Sequence, residues 1–234
     1  MTLSALLFDK DGTLFDFAMT WNGWAKAMLT DLAAGDDQRL SAMAAAVRYD
    51  LATAAFRPDS LVIAGTNDEV AEVLAPHVPH MDRVTLADYL IRTAAEAELA
   101  QAVPLAPYLA ALRTGGLKLG VMTNDGEHSA RRHLTRSGVY DHFHMVIGAD
   151  SGYGAKPDPE PLLAFCAAQG VRPEETAMVG DSRHDLIAGR AAGMRTIGVL
   201  TGMASAEDLA PLADVVLPNI GHIPDWLAAG DQPA

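Results

Sequence analysis

Cysteine, aromatic residues and long apolar runs are all scarce in this sequence of 234 residues. Cys166 is the only cysteine, so no disulfide can form within the chain. We therefore expect a reducing, cytoplasmic compartment. No apolar run approaches the roughly eighteen residues of a membrane span, and Asp9 interrupts the first one. This pattern predicts neither a membrane anchor nor a signal sequence.

Positive charge is also in short supply. The chain has 17 Lys and Arg residues against 30 Asp and Glu residues, which gives a formal net charge of -13. Such a field repels nucleic acid and anionic lipid, so we expect neither as a partner. Apolar residues reach 50% of the chain, which is enough to form a buried core. Any site for an anion must therefore be local.

Six short apolar runs have the length of buried β-strands. They lie at residues 5–8, 117–122, 145–147, 177–179, 196–199 and 215–217. Most of the later runs are followed by a polar turn and a helical pattern, which is typical of a parallel sheet covered on both faces. The sequence therefore predicts an α/β fold with a Rossmann-like parallel sheet.

Residues 17–100 have a different pattern. They contain alanine-rich segments with helical periodicity, at 40–55 and 86–99, and no convincing strand. We expect an all-helical insertion after the first strand. The sheet would then belong to a discontinuous core of residues 1–16 and 101–234, with the helical domain at 17–100.

Four polar segments follow or lie just beyond these runs, and the first contains Asp9, Asp11 and Gly12. Residues two apart in an extended chain point the same way, so Asp9 and Asp11 can face one site. Two such carboxylates repel each other unless a cation or a shared proton lies between them. The alternative is an ordinary Asp-Gly turn that ends a strand.

The second segment contains Thr123, Asn124 and Asp125 at the end of a strand. A threonine hydroxyl and backbone N–H groups at a strand-to-helix turn are good donors to phosphate. The alternative is that Thr123 or Asn124 caps a helix that begins near Glu127.

The third segment places Lys156 beside three prolines at 157, 159 and 161. The prolines fix the backbone and start a helix, so the lysine is held in place. This favours an anion-binding role over the usual solvent-exposed one.

The fourth segment contains Asp181 and Asp185, which share one face if a helix begins near Ser182. Asp181 as an N-cap is the alternative, but it does not explain Asp185, which Asp181 repels unless a metal or a base lies nearby.

In an open parallel sheet all these segments meet at one edge, where ligands bind. Hard oxygen ligands without a cysteine cluster select Mg²⁺ over zinc. His142 and His144 alternate near a strand start and are not expected to be ligands.

The motifs, in this order, resemble those of the haloacid dehalogenase superfamily, and of phosphoglycolate phosphatase-like enzymes in particular. The resemblance implies that residues 17–100 form a mobile cap. It also implies a Mg²⁺-dependent phosphatase that acts on a small phosphorylated metabolite, with phosphoglycolate as one candidate, through a phosphoaspartate. Oligomeric state is left open between monomer and homodimer. The implied site consists of Asp9 as nucleophile, Asp11 as general acid and base, Thr123, Asn124 and Lys156 as phosphate ligands, Asp9, Asp181 and the Asp11 backbone carbonyl as metal ligands, and Asp185 and Gly12 as supporting residues.

Two residues depart from the family pattern. Lys10 replaces a residue that is often apolar, and Asp125 replaces a common lysine. We expect Lys10 to project toward the insertion side of the cleft, where it would attract an anionic group of the substrate. The alternative is that Lys10 reaches solvent past the first strand.

Other functions compete with the phosphatase. A phosphomutase similar to beta-phosphoglucomutase would keep every core residue, so it is the second candidate. A haloacid dehalogenase gains nothing from Asp11, because its leaving group has no oxygen to protonate. A receiver domain would be about half as long, and a non-catalytic binding protein would not need the complete set of acids, hydroxyl and lysine.

Overall fold

A six-stranded parallel sheet organises the computed structural model, which describes residues 3–63 and 65–229. Its strand order is β5-β4-β1-β6-β7-β8, so β1 lies inside the sheet between two strands that come much later in the chain. All six expected runs form strands. They are β1 (Ala5–Phe8), β4 (Lys118–Met122), β5 (Met145–Ile147), β6 (Thr176–Gly180), β7 (Arg195–Val199) and β8 (Val215–Leu217).

Both faces of this sheet are buried, which explains why every residue of β1 is apolar. Leu6 and Phe8 pack into the hydrophobic cluster on one face, while Ala5 and Leu7 pack into the cluster on the other. Successive side chains of a strand point to opposite faces, so a strand covered on both sides needs apolar residues at every position.

Helices cover the sheet and confirm the predicted α/β class. They are α5 (Leu105–Thr114), α6 (Glu127–Arg136), α7 (Glu160–Gln169), α8 (Arg183–Ala191), the single-turn α9 (Ala206–Leu209) and α10 (Ile223–Ala228). Short 3-10 turns lie at Tyr140–His142, Pro173–Glu175 and Ile220–His222. Within the described residues, no helix combines the length and apolarity needed to cross a bilayer.

Residues 17–100, called the helical insert below, have a hydrophobic cluster of their own. Four helices contribute to it, with 3-10 turns at Leu61–Ile63 and Ala75–His77. The helices are α1 (Phe17–Ala33), α2 (Asp37–Ala46), α3 (Asn67–Leu74) and α4 (Arg83–Ala95). Two domains with a boundary here remain our prediction, and the separate cluster is consistent with it.

The expectation of an all-helical insert was wrong for residues 47–56. Helix α2 ends at Ala46, and a small hairpin follows, with β2 (Tyr49–Asp50) antiparallel to β3 (Ala55–Phe56). Arg48 and Ala54 adopt positive φ of 56° and 51°, which a helix cannot continue through. The rings of Tyr49 and Phe56 pack edge to face at 5.1 Å and stabilise the pairing.

The insert leaves and rejoins the sheet at one point, close to the end of β1. Phe15 and Gln101 form an antiparallel bridge, and the Asp16 N–H donates to the Ala100 carbonyl at 2.7 Å. The Asp16 carboxylate then caps α1 by accepting from the Met19 N–H at 2.9 Å. This arrangement starts α1 near the edge of the sheet where β1 ends.

Candidate active site

One cleft brings together side chains that follow β1, β4 and β6. Its walls include Asp9, Thr123 and Lys156 from the sheet side and Trp21 and Trp24 from α1. Its empty volume is about 710 Å³, counted with the part open to solvent. The predicted meeting of these segments at the carboxyl edge of the sheet is thus present.

Lys156 lies at the base of the cleft with all three ammonium hydrogens engaged. Its Nζ donates to Asp9 Oδ1 and Asp185 Oδ1, both at 2.6 Å, and to the Met122 carbonyl at 2.9 Å. Burial lowers the pKa of this ammonium, but the carboxylates of Asp185 and Asp9 outweigh burial and raise the pKa overall. Lys156 is therefore a fixed, buried cation beside Asp9.

The side chain of Asn124 holds the Lys156 segment in place. Its Nδ2 donates to the Lys156 carbonyl and its Oδ1 accepts from the Lys156 N–H, both at 2.9 Å.

Thr123 is 2% exposed and lines the cleft. Gly126 is the N-cap of α6 and makes no side-chain cap bond. The alternative prediction, that Thr123 or Asn124 caps this helix, was therefore wrong.

Asp181 is packed between two glycines. A Cβ on Gly12, whose φ is +82°, would lie 2.4 Å from the Asp181 carboxylate, and a Cβ on Gly202 would lie 1.7 Å from it. Both distances are far below any real contact, so only glycine fits at either position. Thr13 Oγ1 also donates to Asp181 Oδ1 at 3.1 Å. The supporting position predicted for Gly12 has this steric basis.

Asp185 binds two partners, Ser182 and Lys156, which explain why a carboxylate is buried at this position beside Asp181. Ser182, and not Asp181, is the N-cap of α8, and Asp185 closes a capping box with it. Asp185 Oδ2 accepts from the Ser182 N–H at 2.9 Å and from Ser182 Oγ at 2.7 Å, while Oδ1 accepts from Lys156. The Asp185 carboxylate therefore orients Lys156.

Three buried carboxylates form an acidic cluster with oxygens within 4.8 Å of one another: Asp9, Asp181 and Asp185. Burial, with repulsion from Asp185 and Asp11, raises the pKa of Asp9 to about 7 against the pull of Lys156. Burial and repulsion from Asp9 and Asp185 raise the pKa of Asp181 well above its usual value. Both shifts come first from burial and then from repulsion between the carboxylates, which an added cation would relieve. The hard oxygen donors of the cluster fit a divalent cation.

The Lys10 side chain lies toward the helical insert, as expected, with Nζ 5.5 Å from the centroid of the Trp21 ring, but the alternative of a solvent-exposed lysine was wrong. Lys10 is 0% exposed, so it neither reaches solvent nor extends a free charge into the cleft. Its Nζ lies 2.6 Å from Asp11 Oδ2, 3.4 Å from Asp125 Oδ2 and 3.0 Å from His133 Nδ1. The side-chain alternation of a strand end turns Lys10 away from Asp9, and packed groups on that side enclose it.

His133 and Trp21 complete the surroundings of Lys10 and Asp11. An ammonium has only donors, so His133 Nδ1 accepts from Lys10 and His133 Nε2 donates to the Ala94 carbonyl at 2.8 Å. Trp21 Nε1 donates to Asp11 Oδ1 at 3.0 Å. Both oxygens of Asp11 thus have protein partners, and the Asp11 carboxylate lies outside the acidic cluster.

Several residues that line or support this cleft were not found from the sequence. Gly202 and Thr201 follow β7, and Thr201 Oγ1 donates to the Gly12 carbonyl at 2.6 Å. The rule used for the other strands, that polar residues after a parallel strand meet at one edge, could have found them. Trp21 and His133 had no local signal, because their roles depend on contacts between α1, α6 and the end of β1.

A family model for haloacid dehalogenase-like hydrolases matches residues 3–193 of the chain. The phosphoglycolate phosphatase of Chromobacterium violaceum is 38% identical over 122 residues, which cover 52% of this chain and 54% of that one. The chain therefore matches about half the length of that relative.

Two further proteins match over most of their length. The N-acetylmuramic acid 6-phosphate phosphatase of Pseudomonas aeruginosa is 31% identical over 210 residues, which cover 89% of this chain and 86% of that one. The crystal structure of beta-phosphoglucomutase from Clostridium difficile superposes with a TM-score of 0.65 at 17% identity, covering 97% of this chain and 98% of that one. The match to beta-phosphoglucomutase, at 17% identity, shows only that the two proteins share a fold.

Proposed function

The chain belongs to the haloacid dehalogenase-like hydrolases, and from that membership we propose that it is a Mg²⁺-dependent phosphatase acting on a small phosphorylated metabolite. The observation that carries the proposal is the placement of Lys156 Nζ at 2.6 Å from Asp9 Oδ1, beside Thr123 and the acidic cluster. Phosphoryl transfer depends mainly on positioning and charge neutralisation, and these groups supply both.

The proposed nucleophile is Asp9. Lys156 binds Asp9 Oδ1, which fixes the carboxylate at the base of the cleft. The other oxygen would attack phosphorus in line while the ester P–O bond breaks, which leaves a phosphoaspartate. Thr123 would bind the phosphoryl oxygens together with Lys156, which must exchange one of its three present acceptors to donate to phosphate. The side chain of Asn124 serves in the proposal by holding the Lys156 backbone, so any phosphate contact from Asn124 would come from its backbone N–H.

Asp11 would protonate the leaving oxygen and then take a proton from the water that hydrolyses the phosphoaspartate. Its oxygens accept from Lys10 and Trp21. To serve as acid and base, Asp11 must therefore exchange one of these partners for the substrate or for water. Because Trp21 belongs to the helical insert, movement of the insert as a cap would make that exchange possible.

Asp9 and Asp181 are the proposed ligands of the metal, with the Asp11 backbone carbonyl. The raised pKa of both carboxylates and the absence of soft ligands in the cluster support this assignment. When bound, Mg²⁺ supplies positive charge that offsets the repulsion between the nucleophile and the phosphoryl oxygens. Thr13, Gly12 and Gly202 hold Asp181 in place for this role.

The proposal includes a cytoplasmic location and excludes nucleic acid and membrane partners, on the basis of the net charge of -13 and a single cysteine. Monomer and homodimer both remain compatible with it. Phosphoglycolate remains one candidate substrate.

The test is release of inorganic phosphate from p-nitrophenyl phosphate with Mg²⁺ and with EDTA. We expect activity that EDTA abolishes and that Asp9→Asn reduces to background, because an amide cannot form the phosphoaspartate. Asp37→Asn is the matched control, since Asp37 is exposed on α2 and distant from the acidic cluster in sequence and element. Full turnover by Asp9→Asn would refute the nucleophile. A phosphomutase would instead move phosphate between hydroxyls of a sugar phosphate.

A further inference from the structure

The part of the cleft that faces the leaving group offers no free cation. Among the described residues that line the cleft, Lys156 is the one lysine or arginine. Its three donors are filled by Asp9, Asp185 and the Met122 carbonyl. His184 also lines the cleft, but it lies in the first turn of α8 beside Asp185, at the phosphate end.

The second buried lysine, Lys10, does not supply a cation that an anionic substrate group could bind either. Lys10 is enclosed by Asp11, Asp125 and His133, and it is 0% exposed. The carboxylates of Asp11 and Asp125, however, do line the cleft. A substrate with a second negative group would therefore meet carboxylates without meeting an available cation, which costs binding energy.

The helical insert covers this part of the cleft mostly with apolar and aromatic side chains, and its polar lining residue Asn67 donates from Nδ2 to Asp125 Oδ1 at 3.0 Å. Phe17, Trp21 and Trp24 come from α1, and Val62 and Val70 come from the segments that follow. The two indoles pack edge to face with ring centroids 5.3 Å apart. This covering, called the aromatic roof below, can bury a flat or aliphatic group.

Both indole N–H groups of the aromatic roof already have acceptors in the protein. Trp21 Nε1 donates to Asp11 at 3.0 Å, and Trp24 Nε1 donates to Thr93 Oγ1 at 3.3 Å. In this arrangement both tryptophans present carbon surface to a ligand, and Trp24 keeps its N–H acceptor when Asp11 exchanges Trp21 for the substrate. The recognition that they provide is dispersion and burial of apolar area, without selection for a polar or charged substituent.

We infer that the substrate is the phosphate ester of a neutral alcohol with an apolar or aromatic body, and that a second anionic group on the leaving alcohol is rejected. This inference rests on the proposed phosphatase function and narrows its substrate class. Phosphoglycolate, whose leaving alcohol carries a carboxylate, is on this basis a poor substrate. The ester P–O bond breaks as in any monoester, and the neutral alcohol departs under the aromatic roof.

The test compares benzyl phosphate with 4-carboxybenzyl phosphate, which have nearly equal leaving groups and differ by one carboxylate. Acetyl phosphate, which is too small to fill the roof, reports on the phosphoryl site itself. We expect kcat/KM to be roughly tenfold or more higher for benzyl phosphate, mainly through KM, because the carboxylate would be left unpaired. Trp24→Ala should lower kcat/KM for benzyl phosphate by roughly five- to tenfold and change acetyl phosphate little.

Met19→Ala is the matched control for Trp24→Ala, because Met19 lies on the same helix, is 76% exposed and does not line the cleft. Equal or higher kcat/KM for 4-carboxybenzyl phosphate would overturn the inference. Arg183, which lies in an adjoining cavity, would then be the residue to replace. Hydrolysis of neither ester nor acetyl phosphate would refute the proposed function, and this inference with it.

Discussion

Lys156 and Lys10 are both buried lysines that contact two carboxylates each, but the carboxylates around them differ in their electrostatic environment. Lys156 shares Asp9 and Asp185 with the acidic cluster. Lys10 binds Asp11 and Asp125 together with the neutral acceptor His133. Beside Lys156 the pKa of Asp9 is raised, mainly by burial, whereas beside Lys10 burial is outweighed by the charge of the lysine together with neighbouring hydrogen bonds, so the pKa of Asp125 is lowered.

The difference separates two kinds of buried charge. A group whose carboxylates repel one another is poised to bind an additional cation, since binding removes repulsion that is already present in the protein. A group whose carboxylate is already stabilised in its charged form by a lysine has less to gain from an additional cation, and it mainly fixes side chains. The phosphate end and the roof end of the cleft are therefore expected to respond differently to loss of their lysines.

Lys156→Met is expected to have the largest effect, since it removes the cation beside the nucleophile. Turnover of p-nitrophenyl phosphate should fall by about 10²- to 10³-fold, the typical loss for one group that stabilises transition-state charge. Lys26→Met, at an exposed position of α1, is the matched control and should keep full activity. Steady-state kinetics at saturating Mg²⁺ would measure this. A loss below about threefold would remove Lys156 from the phosphate site.

Lys10→Met should cost stability more than it costs chemistry. It leaves Asp11 and Asp125 without their shared cation, and loss of one partner of a buried ion pair typically costs about 3–5 kcal/mol. Denaturant unfolding would measure the free energy of unfolding, and kcat on p-nitrophenyl phosphate would report on the chemistry of the folded fraction.

The comparison is sharpened by the double variant Lys10→Met, Asp125→Asn. Removing one of the stranded carboxylates should restore part of the lost stability, with a coupling of about 0.5–3 kcal/mol between the two positions. Strictly additive losses would mean that Lys10 and Asp125 do not form the ion pair that the structure places at 3.4 Å.

Most of the sheet side of the cleft could be predicted from the sequence, and most of the Lys10 group could not. Each strand is a short apolar run that is visible in the sequence. The residues that follow parallel strands lie at one edge of the sheet, so the position of Asp9 can be predicted without knowledge of distant contacts. Lys10 is different, because its partner His133 is 123 residues away on α6. Strand alternation gives the direction of the lysine, but whether that direction is solvent or interior depends on how α6 and the insert pack.

The small hairpin and the role of Asp185 illustrate the same limit. The alanine-rich run at 40–55 favours a helix, but the positive φ at Arg48 and Ala54 and the pairing of Tyr49 with Phe56 override local propensity. Asp185 was expected to support the metal through water or through Lys156, and it contacts Lys156. Its capping contact with Ser182 becomes apparent only when the start of α8 is known to the residue.

A further expected effect concerns the repulsion between the carboxylates of the acidic cluster in metal-free protein. The pKa of Asp9 is raised to about 7, so the folded state holds this proton more tightly than the unfolded state. Stability in EDTA should therefore fall as pH rises from about 4 to about 7, by at most about 4 kcal/mol, since one pKa unit corresponds to about 1.4 kcal/mol.

Asp9→Asn should reduce this dependence, with the part due to Asp181 remaining, and should raise the melting temperature of metal-free protein at pH 8 with little gain near pH 4. Mg²⁺ should stabilise the original protein at pH 8 more than it stabilises the variant. Thermal melts across this pH range, with and without EDTA, are the measurement. A difference between the two proteins that does not change with pH would contradict the raised pKa of Asp9.

The most direct test of the account is to find the phosphoryl group on Asp9. Asp11→Asn protein, which lacks the base that activates water, should accumulate the phosphoaspartate when mixed with p-nitrophenyl phosphate and Mg²⁺, because an aryl leaving group needs little protonation. Acid quenching and peptide mass spectrometry are predicted to place the phosphate on Asp9. Phosphate on another residue, or turnover without any phosphorylated peptide, would contradict the account.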